Sequence, residues 1–274
     1  MQYSLLAFLL CLVSFHAQAK TIKNIAYVEN TINKKQQLDL YLPENAKNVP
    51  VHIFVHGGGW NIGDKKSVKA KEAKAYTDHG IILVTLNYRL SPDVQHPAHM
   101  QDIAAGVSWV YHNISKYGGN PENMILSGHS AGGHLVALLG TDTQYLNKHA
   151  LSPKIFKSIV SIDHSKYDLT EPHKGPLVRL VKKWTKNAFG TDLETLKTAS
   201  PFYQDLKDLP PFLILVSAER NHAVKHSKIF TEKLRQAGQK VELIPIKNRN
   251  HIQMKKDLFK AKSEIFRALT SRFN

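Results

Sequence analysis

The feature that most constrains this chain is a set of short stretches that are apolar almost throughout: "VHIFV" at 51–55, "IILVTL" at 81–86, "NMIL" at 123–126 and "FLILV" at 212–216. A strand with one wet face alternates apolar with polar residues, whereas a strand covered on both faces does not need to. Between the later runs lie helical patterns, among them 69–80, 100–114, 131–140, 225–238 and the closing 255–269. Strand alternating with helix predicts an α/β chain built on a mostly parallel, doubly wound sheet, with "NIAYV" and "LDLYL" forming an antiparallel hairpin at its edge. The 274 residues, 42% of them hydrophobic, contain no repeat and no Pro/Gly/Ser-rich linker, so one domain over 20–274 is expected.

In such sheets, functional residues collect beyond the carboxyl ends of the strands. Here the strand runs lead into His56-Gly57-Gly58-Gly59-Trp60, Gly128-His129-Ser130-Ala131-Gly132, Ser217-Ala218-Glu219 and Lys247 to His251. Gly128-x-Ser130-x-Gly132 has the spacing of a nucleophile elbow, a sharp strand-to-helix turn that lifts a serine hydroxyl above the sheet. Side chains two residues to either side would collide there, which accounts for the glycines. A lone serine is a weak nucleophile, so a base and a place for negative charge must be near. "HGGGW" offers unobstructed backbone N–H groups for a developing oxyanion. Gly58 and Gly59 are the expected loop donors, with the amide of Ala131 at the head of the next helix completing the hole.

These motifs, together with "NYRLSPDVQHPAHMQDIAAGVSWV", "YGGNPENMILSGHSAGGH" and "ASPFYQDLKDLPPFLIL", resemble the α/β-hydrolase fold. More narrowly, they are similar to the esterase group that includes hormone-sensitive-lipase-like carboxylesterases, feruloyl and acetyl-xylan esterases, and kynurenine formamidases. The resemblance implies a triad in the order Ser, Asp or Glu, His, with no metal and no cofactor. It also implies that His56 shapes the glycine loop and that Asp102 has a structural role, holding the "NYR" loop.

The base is expected after the last strand, where His251 is the only histidine beyond "VELIPI". The acid of the family usually follows the seventh strand; there the sequence reads "SAERNHAVKHS", with Glu219 the only carboxylate. Glu219 is therefore the first candidate, and Asp163 and Asp168 in "SIDHSKYDL" are its rivals. The insert "EPHKGPLVRLVKKWTKNAF" carries Leu177, Leu180, Val181 and Trp184 at helical spacing and predicts a small cap over the serine. His129 and His134, five apart, are poorly spaced for a shared metal.

The first nineteen residues stand apart. "LLAFLLCLVSF" is an apolar stretch shorter than a bilayer span, and "AQA" before Lys20 supplies the small residues of a signal-peptidase site, so export to the periplasm or beyond is expected. The only cysteine, Cys11, lies inside it. The net charge of +15 would raise the local concentration of anionic partners. Its lysines are scattered along helix faces without interleaved aromatics, which argues against nucleic acid as a partner. The expected activity is hydrolysis of short-chain or carbohydrate-linked acyl esters through an acyl-enzyme. Formamidase-like amide cleavage and a non-catalytic basic envelope binder are the alternatives.

Overall fold

The computed structural model describes residues 20–172 and 178–273. The leader expected at 1–19, and Leu177 of the insert, lie outside them. Eight strands form a single sheet: β1 (Lys20–Ala26), β2 (Gln37–Leu42), β3 (Val49–Val55), β4 (Ile82–Leu86), β5 (Gly119–His129), β6 (Phe156–Ile162), β7 (Phe212–Ser217) and β8 (Val241–Ile246), in the order β1-β2-β4-β3-β5-β6-β7-β8. β1 and β2 pair antiparallel, as the edge hairpin required, and β2 also runs antiparallel to β4. Every other pairing is parallel.

The helices are α1 (Ala70–Thr77), α2 (Ala98–Asn113), α3 (Ala131–Thr141), α4 (Gln144–Asn147), α5 (Val178–Phe189), α6 (Leu193–Thr198), α7 (Asn221–Gln236), α8 (His251–Leu258) and α9 (Glu264–Thr270). They cover the sheet on both faces. Ile53, Val84, Leu126 and Ile214 point to one face and pack with Val107, Leu135 and Phe230 of α2, α3 and α7. Their strand neighbours Phe54, Leu83, Ile125 and Leu213 point to the other face, against Tyr76, Met254 and Phe266 of α1, α8 and α9. Two-sided cover is the physical reason the central strands carry no polar alternation.

The closing helical pattern 255–269 is not one helix. α8 stops at Leu258, and Ser263 restarts the chain as the N-cap of α9 by accepting the Phe266 amide at 3.0 Å. Ser263 Oγ also donates to the Asp257 carbonyl at 2.5 Å, and Asp257 pairs with Lys260 at 2.7 Å and with Arg249. These local bonds compete with continuation of the helix and turn the chain back onto the sheet.

Candidate active site

β3, β5 and β6 are neighbours, with Val55 opposite Gly128 and Gly128 opposite Ser161, so their carboxyl ends finish level. Ser130 stands between β5 and α3 at φ 58, ψ −121, a backbone conformation that a serine adopts only under strain of roughly 1–3 kcal/mol. Its surroundings over-determine it. The Ser130 amide donates to the Ile162 carbonyl at 2.8 Å, and its carbonyl accepts from the His134 amide at 3.2 Å. A Cβ on Gly128 would lie 2.2 Å from the Gly132 carbonyl oxygen, and one on Gly132 would lie 2.3 Å from that of Val55. The two glycines therefore let the elbow fold on itself and let α3, buried along its whole length, press onto β3.

His251 is the first residue of α8, and its place is set by the turn before it. Asn250 caps the helix by accepting the amides of Ile252 (3.1 Å) and Gln253 (3.0 Å), while the Gln253 side chain accepts the Asn250 amide at 2.8 Å. His129, buried and with its pKa lowered by burial to about 3, is a neutral ring whose Nε2–H donates to the His251 carbonyl at 2.9 Å. Thus held, His251 directs Nε2 to the Ser130 hydroxyl at 3.0 Å and Nδ1 to Asp163 Oδ2 at 2.6 Å. With Nδ1–H given to the carboxylate, Nε2 is left free to accept the serine proton.

The carboxylate beside His251 is therefore Asp163 and not Glu219. Glu219 is exposed in the turn after β7, and its Oε1 accepts the Asn248 amide at 2.9 Å; among the described residues it makes no bond to the imidazole. Asp168 is likewise elsewhere, accepting from the Thr170 amide and hydroxyl at 2.8 and 2.6 Å and from the Tyr203 hydroxyl at 3.0 Å. Asp163 directly follows β6, the strand beside the one that leads into Ser130, and its φ of 52 turns the chain there. Burial alone would push its carboxyl up. The His251 bond, the Arg220 charge at 2.9 Å and the Ser217 amide at 3.0 Å outweigh burial and hold the carboxyl below its ordinary value.

Arg220 is not marked out by the sequence. Its Nη1 donates to the Asp163 carbonyl at 2.8 Å and lies 3.1 Å from His251 Nδ1, so the guanidinium braces the carboxylate from the β7 side. Asn61 is not marked out either. Its Nδ2 donates to the Gly59 and Trp184 carbonyls at 2.6 and 3.0 Å, and its Oδ1 accepts from Asn187 at 2.7 Å, tying the glycine loop to α5. Neither residue belongs to a motif readable without the fold.

The glycine loop lies against the elbow: a Cβ on Gly57 would stand 3.0 Å from that of Ser130. Among the described residues, the amides of Gly58, Gly59 and Ala131 donate to no carbonyl in a turn, loop or cap. His56 Nδ1 contacts the Gly57 carbonyl at 2.7 Å, and its ring stacks on Tyr88, so it does shape this loop. Asp102 holds the "NYR" loop through the Arg89 amide (2.9 Å), Nε (2.8 Å) and Nη2 (2.9 Å). The cap expected from the insert is α5. It buries Thr185, Ala188 and Phe189 and lays Trp184 over Gly59, while Leu180 is 39% exposed and packs less than its spacing suggested. A cleft of about 280 Å³ opens over Ser130, between the glycine loop, Trp184 and His251. One cluster of metal-type ligands occurs among the described residues, His129, Asp163 and His251, with ligand atoms within 4.8 Å of one another. Each of these side chains is already engaged in the bonds above.

A family model for BD-FAE matches residues 38–234. Esterase LipQ of Mycobacterium tuberculosis is 31% identical over 202 residues, which cover 70% of this chain and 47% of LipQ. Esterase B from Lactobacillus rhamnosus superposes with a TM-score of 0.76 at 20% identity, covering 93% of this chain and 86% of its own. A truncated carbohydrate esterase from gut microbiota gives a TM-score of 0.78 at 20% identity, covering 95% and 97%. Likeness at that identity establishes the fold, that of the α/β-hydrolases. The chain spans about half the length of the first curated relatives it matches.

Proposed function

The chain belongs to the BD-FAE family, and from that membership and the geometry around Ser130 we propose that it is a serine carboxylesterase. The observation that carries the reading is the continuous relay Ser130 Oγ to His251 Nε2 at 3.0 Å and His251 Nδ1 to Asp163 at 2.6 Å. Ser130 Oγ attacks the ester carbonyl and gives its proton to His251 Nε2. The tetrahedral oxyanion is held by the amides of Gly58 or Gly59 and of Ala131, each donor contributing about 3 kcal/mol to the transition state. His251 passes its proton to the leaving alcohol, and the acyl-serine is then hydrolysed by a water that the same imidazole deprotonates.

The acyl groups favoured are short, because α5 and Trp184 bring a wall down onto the oxyanion loop beside a cleft of about 280 Å³; acyl groups carried on carbohydrate are the esters an exported enzyme would meet. The chain is exported, with residues 1–19 removed and Lys20 at the new amino terminus, on the strength of the apolar run and the "AQA" ahead of it.

The test is a fluorophosphonate label and a p-nitrophenyl acetate, butyrate and octanoate series, applied to the wild type and Ser130→Ala. Labelling and turnover in the wild type only, falling with chain length, are the expected result. Equal behaviour of the two proteins would leave a non-catalytic binder. Mass spectrometry of the amino terminus after expression checks export.

A further inference from the structure

The cleft that holds Ser130 and His251 contains a cation that the reaction does not use. Lys255 sits four residues after His251 in α8, on the same side of that helix, and lines the cleft with Asp64 and Ser67. Its Nζ is half-buried and makes a single 3.3 Å hydrogen bond, to the Ser67 carbonyl. Among the described residues it has no ion-pair partner. An ammonium that has given up water without gaining an acid is penalised, and burial does lower the Lys255 pKa, against the field of Glu72 and with that of Lys69.

The acids nearest the cleft are already paired, which leaves Lys255 without one there; Glu72, outside the cleft lining, acts on it only through its field. Asp64 is paired with Lys35 at 2.9 Å and also accepts the Lys66 amide and Asn87. Asp163 is paired with Arg220 at 2.9 Å. Burial holds His56 and His129 neutral, with pKa values lowered to about 4 and about 3. One unpaired positive charge with free N–H donors suits one monoanion.

Its position also fixes which half of the ester carries that anion. The leaving oxygen must lie within hydrogen-bond reach of His251 Nε2, so the alcohol occupies the His251 side of the cleft. Side chains of a helix lean toward its amino terminus, which brings the Lys255 stem toward His251 and hence toward the alcohol. We propose that Lys255 is a specificity-determining residue that selects esters whose alcohol part bears a carboxylate, such as an acylated hydroxy acid or uronate. This rests on the esterase reading and adds a substrate class to it.

The experiment compares kcat/KM of the full chain on two acetate esters of nearly the same shape, those of 4-hydroxybenzoate and 4-hydroxybenzamide, in wild type, Lys255→Met and Lys255→Arg. The wild type should favour the carboxylate about tenfold, the size of one charge-assisted hydrogen bond. The ratio should fall to near one in Lys255→Met and recover in part in Lys255→Arg. A wild-type ratio near one overturns the proposal while leaving the esterase reading standing. So does a ratio that survives in Lys255→Met, which would assign the preference to the net charge of +15. If the wild type cleaves neither ester and takes no fluorophosphonate label, both readings fall together. A larger gain with the acetate ester of 4-hydroxyphenyl phosphate than with the carboxylate would overturn the choice of anion.

Discussion

Asp163 and His251 are 88 residues apart in sequence, yet the carboxylate Oδ2 and the ring Nδ1 stand 2.6 Å apart, with Arg220 closing on both. The carboxylate thus comes from the end of the strand next to the one that leads into Ser130, and the turn after β7 contributes the arginine that braces it. Asp163→Asn should keep the fold, since an amide has the same shape, and lower kcat by about ten-thousandfold through the wrong imidazole tautomer. Glu219→Gln should stay within about threefold of wild type, because an exposed bond to the Asn248 amide is worth little. Steady-state kinetics on p-nitrophenyl acetate, with circular dichroism as the folding control, decide it. Loss of turnover in Glu219→Gln with Asp163→Asn active would reverse the assignment.

That reversal of acids marks where the sequence stops being readable. Ser130 and its glycines are legible because a tight turn demands small residues at fixed offsets, and His251 is legible because only one histidine follows β8. The acid has no such local signature. Glu219 and Asp163 both lie within two residues of a strand end, and which one faces the imidazole depends on strand order and on the side chain beside it. Neighbouring β5 and β6, with Arg220 turned inward and Glu219 outward, choose Asp163. The uniform strands and the edge hairpin were readable from apolar pattern alone. The break between α8 and α9 was not, because Ser263 can cap a helix or continue one, and the pairing of Asp257 with Lys260 and Arg249 decides between them.

Among the described residues six histidines are buried, His52, His56, His99, His129, His134 and His164. Burial lowers the first five to about 3 or 4 and holds His164 well below its ordinary value. In the unfolded chain these rings take up protons below about pH 6.5, while in the folded chain the first five stay neutral down to about pH 4. Between those limits the unfolded state binds more protons, so stability falls as pH falls, by about 1.4 kcal/mol per unit for each fully titrating ring. Asp163, whose carboxyl is depressed, contributes in the usual carboxylate sense and only at lower pH. The five rings lowered to about 3 or 4 would together cost about 14 kcal/mol over the two units below pH 6.5, comparable with the whole of a typical 5–15 kcal/mol reserve. Thermal melts at pH 7.5, 6.5, 5.5 and 4.5 should show the fall in Tm concentrated between 6.5 and 4.5. A flat Tm down to pH 4.5 would show that the rings are protonated in the folded state.

Asp102 tests a structural role close to the site. It is buried and accepts three bonds from Arg89 and one from Gln36 at 2.9 Å, so it joins the "NYR" loop to α2 and to the start of β2. Asp102→Ala leaves the Arg89 amide, its guanidinium and the Gln36 amide without an acceptor. The cost should be about 3 kcal/mol, seen as a lower denaturation midpoint with an unchanged m-value. Asp102→Asn retains one acceptor oxygen and should lose roughly half as much. A change below about 0.5 kcal/mol in the alanine variant would mean that the loop is held by other contacts.

The closest coupling of cap and chemistry is between Gly59 and Trp184. Gly59 has φ +58, and a Cβ there would stand 2.1 Å from the Trp184 ring. Gly59→Ala therefore meets two separate obstacles, a left-handed backbone that costs alanine about 1 kcal/mol and an indole that must move. Both push the Gly59 amide away from where the oxyanion forms, and kcat should fall about a hundredfold, the loss that follows removal of one donor. Trp184→Ala in the same chain removes the ring and leaves the dihedral strain. The double variant should recover part of the lost turnover and some of the lost stability. Kinetics of the two single variants and the double variant, read as a cycle, give the coupling. If the effects of the two changes simply add, the ring does not press on the loop, and α5 is no wall of the active site.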